Sequence, residues 1–184
     1  MTAIIISIFT YVQNTKSQKR QVRIGKLEEM LEIIHTLNGN YQYFEDTFFF
    51  KELVLKEKQE EEIKRYKKQI IDLIKTSTEI GLRNKLSRLY VLNNSYLPKN
   101  KLKDKISVFI ACYTSIAEQT ISQPFQIIDT TPFNKFPKRW DYLDFTKEIQ
   151  NEIIKEMKLG YKNNIDTNNE PTKFEIEFRK KYNL

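Results

Sequence analysis

The first 97 residues contain no proline, and only Gly25, Gly39 and Gly81 interrupt them as glycines. Glycine and proline are the residues that cost most inside a helix, whereas Lys, Glu, Ile and Leu lose little rotamer freedom there. The chain of 184 residues is 40% hydrophobic and 30% charged, so it can bury one core beneath a solvated surface. The sequence therefore predicts an all-α fold, an antiparallel bundle of four to five helices with a long N-terminal helix and one loop rich in proline and aromatic residues.

Apolar residues recur every three or four positions between Ile24 and Leu37, which is the spacing of an amphipathic helix. The run from Asn38 to Asn40 is typical of a helix C-terminus, and we expect the helix to stop there. The aromatic stretch from Tyr41 to Leu55 has β propensity, but strict alternation fails at Phe48–Phe50. A helix is therefore preferred over a strand for this stretch.

Glycine and proline residues divide the rest of the chain into further predicted helices. One long helix is predicted over Glu57–Asn93 with a bend at Gly81, followed by an apolar helix over Lys101–Thr120 that we expect to be the most buried. Ser122–Trp140 is irregular and holds three of the five prolines. Asp141 then caps a helix that runs through Lys158.

Three segments are expected. Residues 1–21 form a membrane-proximal apolar segment with a basic flank, residues 22–160 form the helical bundle, and residues 161–184 form a polar linker with a short C-terminal helix. Thr172 and Glu175 have the spacing of a capping box that opens this last helix, and Gly160 is the expected stop of the preceding one.

The positive charge is concentrated at the N-terminus. The formal net charge is +7, and residues 1–26 hold five basic residues and no acid. They follow an apolar run, Ala3–Val12, in which Ser7 and Thr10 are the polar residues. As a helix this run rises only ~15 Å, against a hydrocarbon core of ~30 Å.

Three interpretations of this N-terminus are open. It is the cytoplasmic end of a longer membrane anchor, a shallow interfacial anchor, or a buried terminal helix or strand. A secretory signal is not indicated, because the positive charge follows the apolar run. On either membrane interpretation Ile4, Ile5, Ile8 and Phe9 enter the lipid, and the positive-inside rule places the domain on the cytoplasmic face of the membrane. The side chains expected to contact anionic lipid are Lys16, Lys19, Arg20, Arg23 and Lys26.

The sequence lacks the residues that several classes of catalytic and binding sites require. His35 is the only histidine, so histidine-based metal sites and Ser-His-Asp or Cys-His arrangements cannot be assembled. Cys112 is the only cysteine, lies in an apolar run, and is expected in the core. The isolated glycines cannot form a phosphate-binding loop. We expect no catalytic residue, no metal and no cofactor.

One motif is suited to a protein partner. Phe136, Lys138, Arg139 and Trp140 bring cations and aromatic rings together in the irregular stretch, and such residues dominate interface hot spots. The alternative is a loop pinned to the bundle by Phe136 and Trp140, with Arg139 paired to a nearby aspartate.

The leading functional hypothesis is a non-enzymatic, membrane-tethered helical interaction module, such as a scaffold, a sensor or an effector subunit, that contacts anionic lipid and a protein partner. The alternative is a soluble nucleic-acid-binding helical domain that uses the N-terminal basic cluster. An enzyme comes third, and a deep polar pocket with convergent carboxylates would favour it. The Ile24–Leu37 seam is expected to pack within the bundle, with contact between two copies as its alternative.

Overall fold

The fold, seen in a computed structural model, is described for residues 2–57, 59–126, 136–159 and 180–181. Its helices are α1 (Thr2–Glu57), α2 (Glu60–Glu79), α3 (Leu82–Tyr96), α4 (Lys101–Ala117) and α5 (Arg139–Leu159). A π-helical turn, Glu118–Ser122, extends α4. No strand occurs in these ranges. The all-α class and the helical bundle with a long N-terminal helix are confirmed.

α1 is one continuous helix of 56 residues, so the stop expected at Asn38–Asn40 is wrong. The seam of apolar residues continues through this stretch, because Leu37, Tyr41 and Phe44 are all buried. Burying each such side chain contributes about 1.5–3 kcal/mol, which exceeds the cost of about 1 kcal/mol for a helical glycine. Asn40 donates its side-chain N–H to the carbonyl of Thr36 instead of capping the helix. Residues 41–55 are therefore helical, as expected.

The long helix expected over Glu57–Asn93 is two helices. α2 ends at Glu79 and α3 begins at Leu82, and Gly81 between them has a φ of 65°. This left-handed conformation is disfavoured for residues with a Cβ atom. The bend expected at Gly81 is thus a complete break, with α2 and α3 packed as separate helices.

The main core lies between α1, α3, α4 and α5. α1 and α5 are antiparallel, with the ring of Tyr41 stacked on that of Tyr142 at 3.8 Å. α4 contributes Phe109 and Tyr113, whose rings pack beside Tyr142. At the far end of α1 a smaller apolar cluster joins α1 to α2 through Val54, Tyr66 and Ile70.

The start of α5 is set by a contact with α1. The helix begins at Arg139, two residues before the expected cap Asp141, and the buried carboxylate of Glu45 on α1 accepts the backbone N–H of Arg139. Burial raises the pKa of Glu45, and this hydrogen bond opposes the rise. Residues 127–135 of the irregular stretch, Gly160 and the capping box at Thr172–Glu175 lie outside the described residues.

Candidate functional site

The N-terminal part of α1 extends beyond the bundle. Leu27 is the first buried residue of α1 in the part whose side chains are described, and residues 10–22 are exposed apart from half-buried Thr15. We call residues 2–22 the stalk. The backbone of Ile4, Ile5, Ile8 and Phe9 belongs to this helix, and their side chains lie outside the described part of the structure.

The stalk and the packed part of α1 share one helical face. Counting back from Leu27, steps of three and four residues pass through Arg23, Lys19 and Lys16 to Val12. In the sequence the same spacing continues to Phe9. The helix face that is apolar in the bundle is therefore basic in the part of the stalk nearest the bundle. In the sequence it is apolar again near the N-terminus.

The five predicted lipid contacts divide into two groups. Arg23 donates to Glu156 of α5 at 2.6 Å and is largely buried, and Lys26 donates to Glu29 at 2.9 Å. These two cations contact carboxylates of the bundle. The other three are exposed on the stalk, and no ion pair involving them occurs within the described ranges: Lys16, Lys19 and Arg20.

The predicted partner motif is also divided by the fold. Phe136 is buried, with its ring against Phe48 at 4.7 Å, so it anchors the loop and is not presented to a partner. Lys138, Arg139 and Trp140 are exposed at the start of α5, with Trp140 retaining 68% of its accessible surface.

The alternative interpretation, a loop pinned to the bundle by Phe136 and Trp140, agrees with the structure at Phe136 and not at Trp140. Phe136 does pin the loop, whereas Trp140 points outward with the guanidinium of Arg139 at 5.2 Å from its ring centre. Asp141 pairs instead with Lys181 at 2.6 Å. The exposed part of the motif is therefore a cation and an indole stacked together at the surface.

Two buried lysines were missed by sequence reasoning. Lys105 on α4 donates to Glu148 at 2.7 Å and Glu152 at 2.6 Å. Burial alone would lower its pKa, but these hydrogen bonds outweigh it and the pKa is raised. Its position on the apolar seam, one residue before buried Ile106, was the available signal.

Lys51 on α1 is the second buried lysine, and it bonds only to neutral oxygens. Its ammonium donates to the carbonyls of Gln119 and Gln123, at 2.7 and 2.9 Å, and to the side-chain oxygen of Gln119. Burial lowers the pKa of Lys51 to about 8, and nearby Glu52 opposes this shift. Lys51 thereby ties α1 to a carbonyl within the π-helical turn and to another just after it.

The single cysteine and the single histidine lie in different environments, one in the core and one at the surface. Cys112 is completely buried, which confirms the expected core position, and burial raises the pKa of its thiol. His35 is exposed on α1. Among the described residues, no group of three or more His, Cys, Asp or Glu side chains is placed to hold a metal ion.

A cavity of about 600 Å³ opens between the α2–α3 turn and the end of α4. Its described lining mixes apolar residues with Ser77, Arg83 and Asn84, and it contains one carboxylate, Glu118. The described lining of this cavity therefore holds no pair of convergent carboxylates.

Within the described ranges, no helix combines the length and the apolar character needed to cross a bilayer.

The chain matches no known protein family, and no curated protein or solved structure shows significant similarity to it.

Proposed function

We propose that this chain is a non-enzymatic, membrane-tethered helical interaction module on the cytoplasmic face of a membrane. The observation that carries the proposal is the stalk, in which α1 is helical and the described side chains, residues 10–22, are exposed apart from half-buried Thr15. An exposed helix gains no packing energy from the bundle, and packing supplies most helical stability in proteins. A lipid surface would supply a packing partner for the apolar run that the sequence places at Ala3–Val12.

The charges of the stalk support the same orientation. Lys16 and Arg20 follow the apolar run by four and eight residues, so they lie ~6 and ~12 Å beyond Val12 along the helix axis. Headgroup and interfacial regions extend ~5–8 Å beyond the hydrocarbon core. Lys16, Lys19 and Arg20 are therefore suited to contact anionic headgroups, each contributing about 1 kcal/mol.

The interaction surface in this proposal is the exposed part of the partner motif at the start of α5. Lys138, Arg139 and Trp140 combine an exposed indole with two cations, which is a composition enriched in protein interfaces. The stalk leaves the bundle at the opposite end of α5, where Arg23 meets Glu156. A partner on this motif would therefore bind away from the membrane surface.

Flotation of the full chain with lipid vesicles tests the tether. We expect the wild type to float with vesicles of phosphatidylcholine and phosphatidylserine, and Ile5→Asp/Ile8→Asp to remain in the dense fraction. The unfolding temperature of this variant is the control measurement and should equal that of the wild type. The proposal fails if the wild type does not bind vesicles. Binding to any DNA duplex, with an affinity that falls steeply with salt, would then favour the nucleic-acid alternative.

A second measurement tests the interaction surface. Lys138→Ala/Arg139→Ala/Trp140→Ala should abolish recovery of a cross-linked partner from cells without lowering the unfolding temperature. Arg83→Ala/Tyr90→Ala provides the matched control, since both side chains are exposed on α3. Equal recovery with the two variants would remove the α5 motif from the proposal.

A further inference from the structure

The end of the bundle from which the stalk leaves is built by two other parts of the chain. The last turns of α5 lie there, because Glu156 accepts from Arg23. The α3–α4 turn lies there as well: Arg88 of α3 pairs with Glu29 of α1, and α3 then runs on for two more turns toward the stalk. Leu97 and Leu102, on either side of the turn, are buried in the main core. The base of the stalk is thus flanked by a turn and a helix end.

Four lysines project from these flanking parts, and we call them the basic collar: Lys99, Lys101, Lys155 and Lys158. Lys101 is half-buried and the other three are exposed. α4 and α5 are antiparallel, and Lys105 of α4 bonds to Glu148 and Glu152 of α5. Lys101, one turn before Lys105, is therefore level with the last two turns of α5, which hold the α5 lysines of the collar.

The carboxylates near the collar are mostly neutralised within the bundle. Those held in ion pairs are Glu29, Glu152 and Glu156. The hydrogen bonds from Arg88 and Lys26 hold the pKa of Glu29 at about 2. Glu28 and Asp104 are exposed nearby and offset part of the positive charge. Among the described residues, the collar and the exposed cations of the stalk therefore leave this end of the bundle positive.

The other end of the bundle has no such excess. α1 and α2 meet there, as the contact between the rings of Phe50 and Tyr66 shows, and acids alternate with exposed cations. The acids are Glu52, Glu60, Glu61 and half-buried Glu62, and the cations are Lys56, Lys64, Arg65, Lys67 and Lys68. The charge of the described residues is therefore distributed unevenly along the long axis of the bundle.

The heights of these groups bring the collar within reach of a membrane. Arg23 lies ~16 Å beyond Val12 along α1, and Lys158 is about half a turn closer to the stalk than Glu156. Lys155 and Lys101 lie ~2–3 Å farther from the stalk than Glu156. With a headgroup region ~5–8 Å deep, the collar backbone therefore stands ~5–14 Å from the headgroups when the stalk is upright. This is about one to two Debye lengths at physiological ionic strength.

The geometry points to the basic collar as a second contact with anionic lipid, which holds the bundle end-on against the membrane. This inference rests on the proposed function, because the stalk must first bring the collar to the surface. The stalk supplies apolar insertion and the collar supplies electrostatic attraction. The α5 partner motif, at the far end, is then displayed away from the lipid.

Vesicle partitioning of the full chain tests the collar separately from the stalk. The collar variant is Lys99→Gln/Lys101→Gln/Lys155→Gln/Lys158→Gln. The matched control, Lys56→Gln/Lys64→Gln/Lys67→Gln/Lys68→Gln, removes the same charge from the other end. On vesicles containing phosphatidylserine we expect the collar variant to bind ~10-fold or more weakly than wild type, and the control less than ~2-fold more weakly. On pure phosphatidylcholine all three should bind equally.

Each other outcome overturns a specific claim. If the collar variant binds both vesicles like wild type while Ile5→Asp/Ile8→Asp binds neither, the tether stands and the collar contact is wrong. If the collar and control variants lose affinity equally, net charge alone explains the effect and the collar is wrong. If the wild type binds neither vesicle, both proposals fail. A loss of duplex-DNA binding without any change in lipid binding would assign the collar to nucleic acid and overturn the inference.

Discussion

Leu27–Val54 and the stalk are two regions of one helix with the same spacing of side chains along one face, yet their environments differ. The first packs Leu37, Tyr41 and Phe44 against α3, α4 and α5, and these side chains are at most 1% exposed. On the stalk, Val12 retains 41% of its accessible surface. Regular helical spacing therefore does not by itself bury a face, because burial requires apolar side chains and neighbouring elements at the same height.

The largest expected effect is the difference in the free energy of unfolding between a substitution in the packed region and one in the stalk. Phe44 is completely buried, with its ring 5.2 Å from that of Tyr113, so Phe44→Ala should lower the free energy of unfolding by about 3–5 kcal/mol. Tyr11 is 73% exposed on the stalk, and Tyr11→Ala should change it by less than about 0.5 kcal/mol. Denaturant unfolding measures both. Similar losses in the two variants would show that the stalk packs on the bundle.

The next effect concerns pH and the lysines of α1. Lys51 has a folded pKa of about 8, below its ordinary 10.5, so the unfolded chain binds more protons between these values. Stability must then rise with pH through this window. Relative to Lys51→Met, the wild type should gain about 2 kcal/mol between pH 7 and pH 10.

The same measurement has an internal control. Tyr66 and Cys112 have raised pKa values, which oppose the gain at high pH, but they are common to both proteins and cancel in the comparison. Lys19 on the stalk is exposed, so Lys19→Met serves as the matched control for replacing a lysine with methionine. A pH-independent difference between wild type and Lys51→Met would show that Lys51 is solvated.

A smaller effect marks the boundary between the two regions. Arg23 is the residue of α1 nearest the stalk that pairs with α5 in the described structure, through Glu156 at 2.6 Å. Arg23→Gln should lower the unfolding free energy by about 1 kcal/mol, because a partly buried, charge-assisted hydrogen bond is lost. Lys16→Gln, two turns earlier, should leave it unchanged. A loss with Lys16→Gln would extend the packed region into the stalk.

The smallest effect is a gain. A Cβ atom added at Gly39 would meet nothing within 4 Å, so Gly39→Ala should stabilise the protein by about 0.5–1 kcal/mol through its helix propensity. Gly81→Ala should instead destabilise it, because Gly81 has a φ of 65°. Thermal unfolding of the two variants should shift in opposite directions. A loss of stability in Gly39→Ala would mean that α1 bends at this position in solution.

Part of the site was predictable and part was not. The residues of the partner motif could be identified in the sequence. Only the packing shows that Phe136 is buried while Trp140 is exposed. The basic cluster was equally clear, yet the assignment of Arg23 to the bundle depends on Glu156, more than a hundred residues away. The collar has no signature in the sequence, because its lysines come from two separate segments that meet only in the fold.

The sequence by itself determined that the chain is helical, that its prolines lie after residue 97, and that its N-terminus is an apolar run followed by positive charge. These are properties of local propensity and order along the chain. Tertiary structure decided that α1 runs through Gly39, that α5 begins against Glu45, and that Lys51 and Lys105 are buried. Each of these outcomes depends on the burial and hydrogen bonding supplied by distant residues, which outweigh the local preferences of the segment concerned.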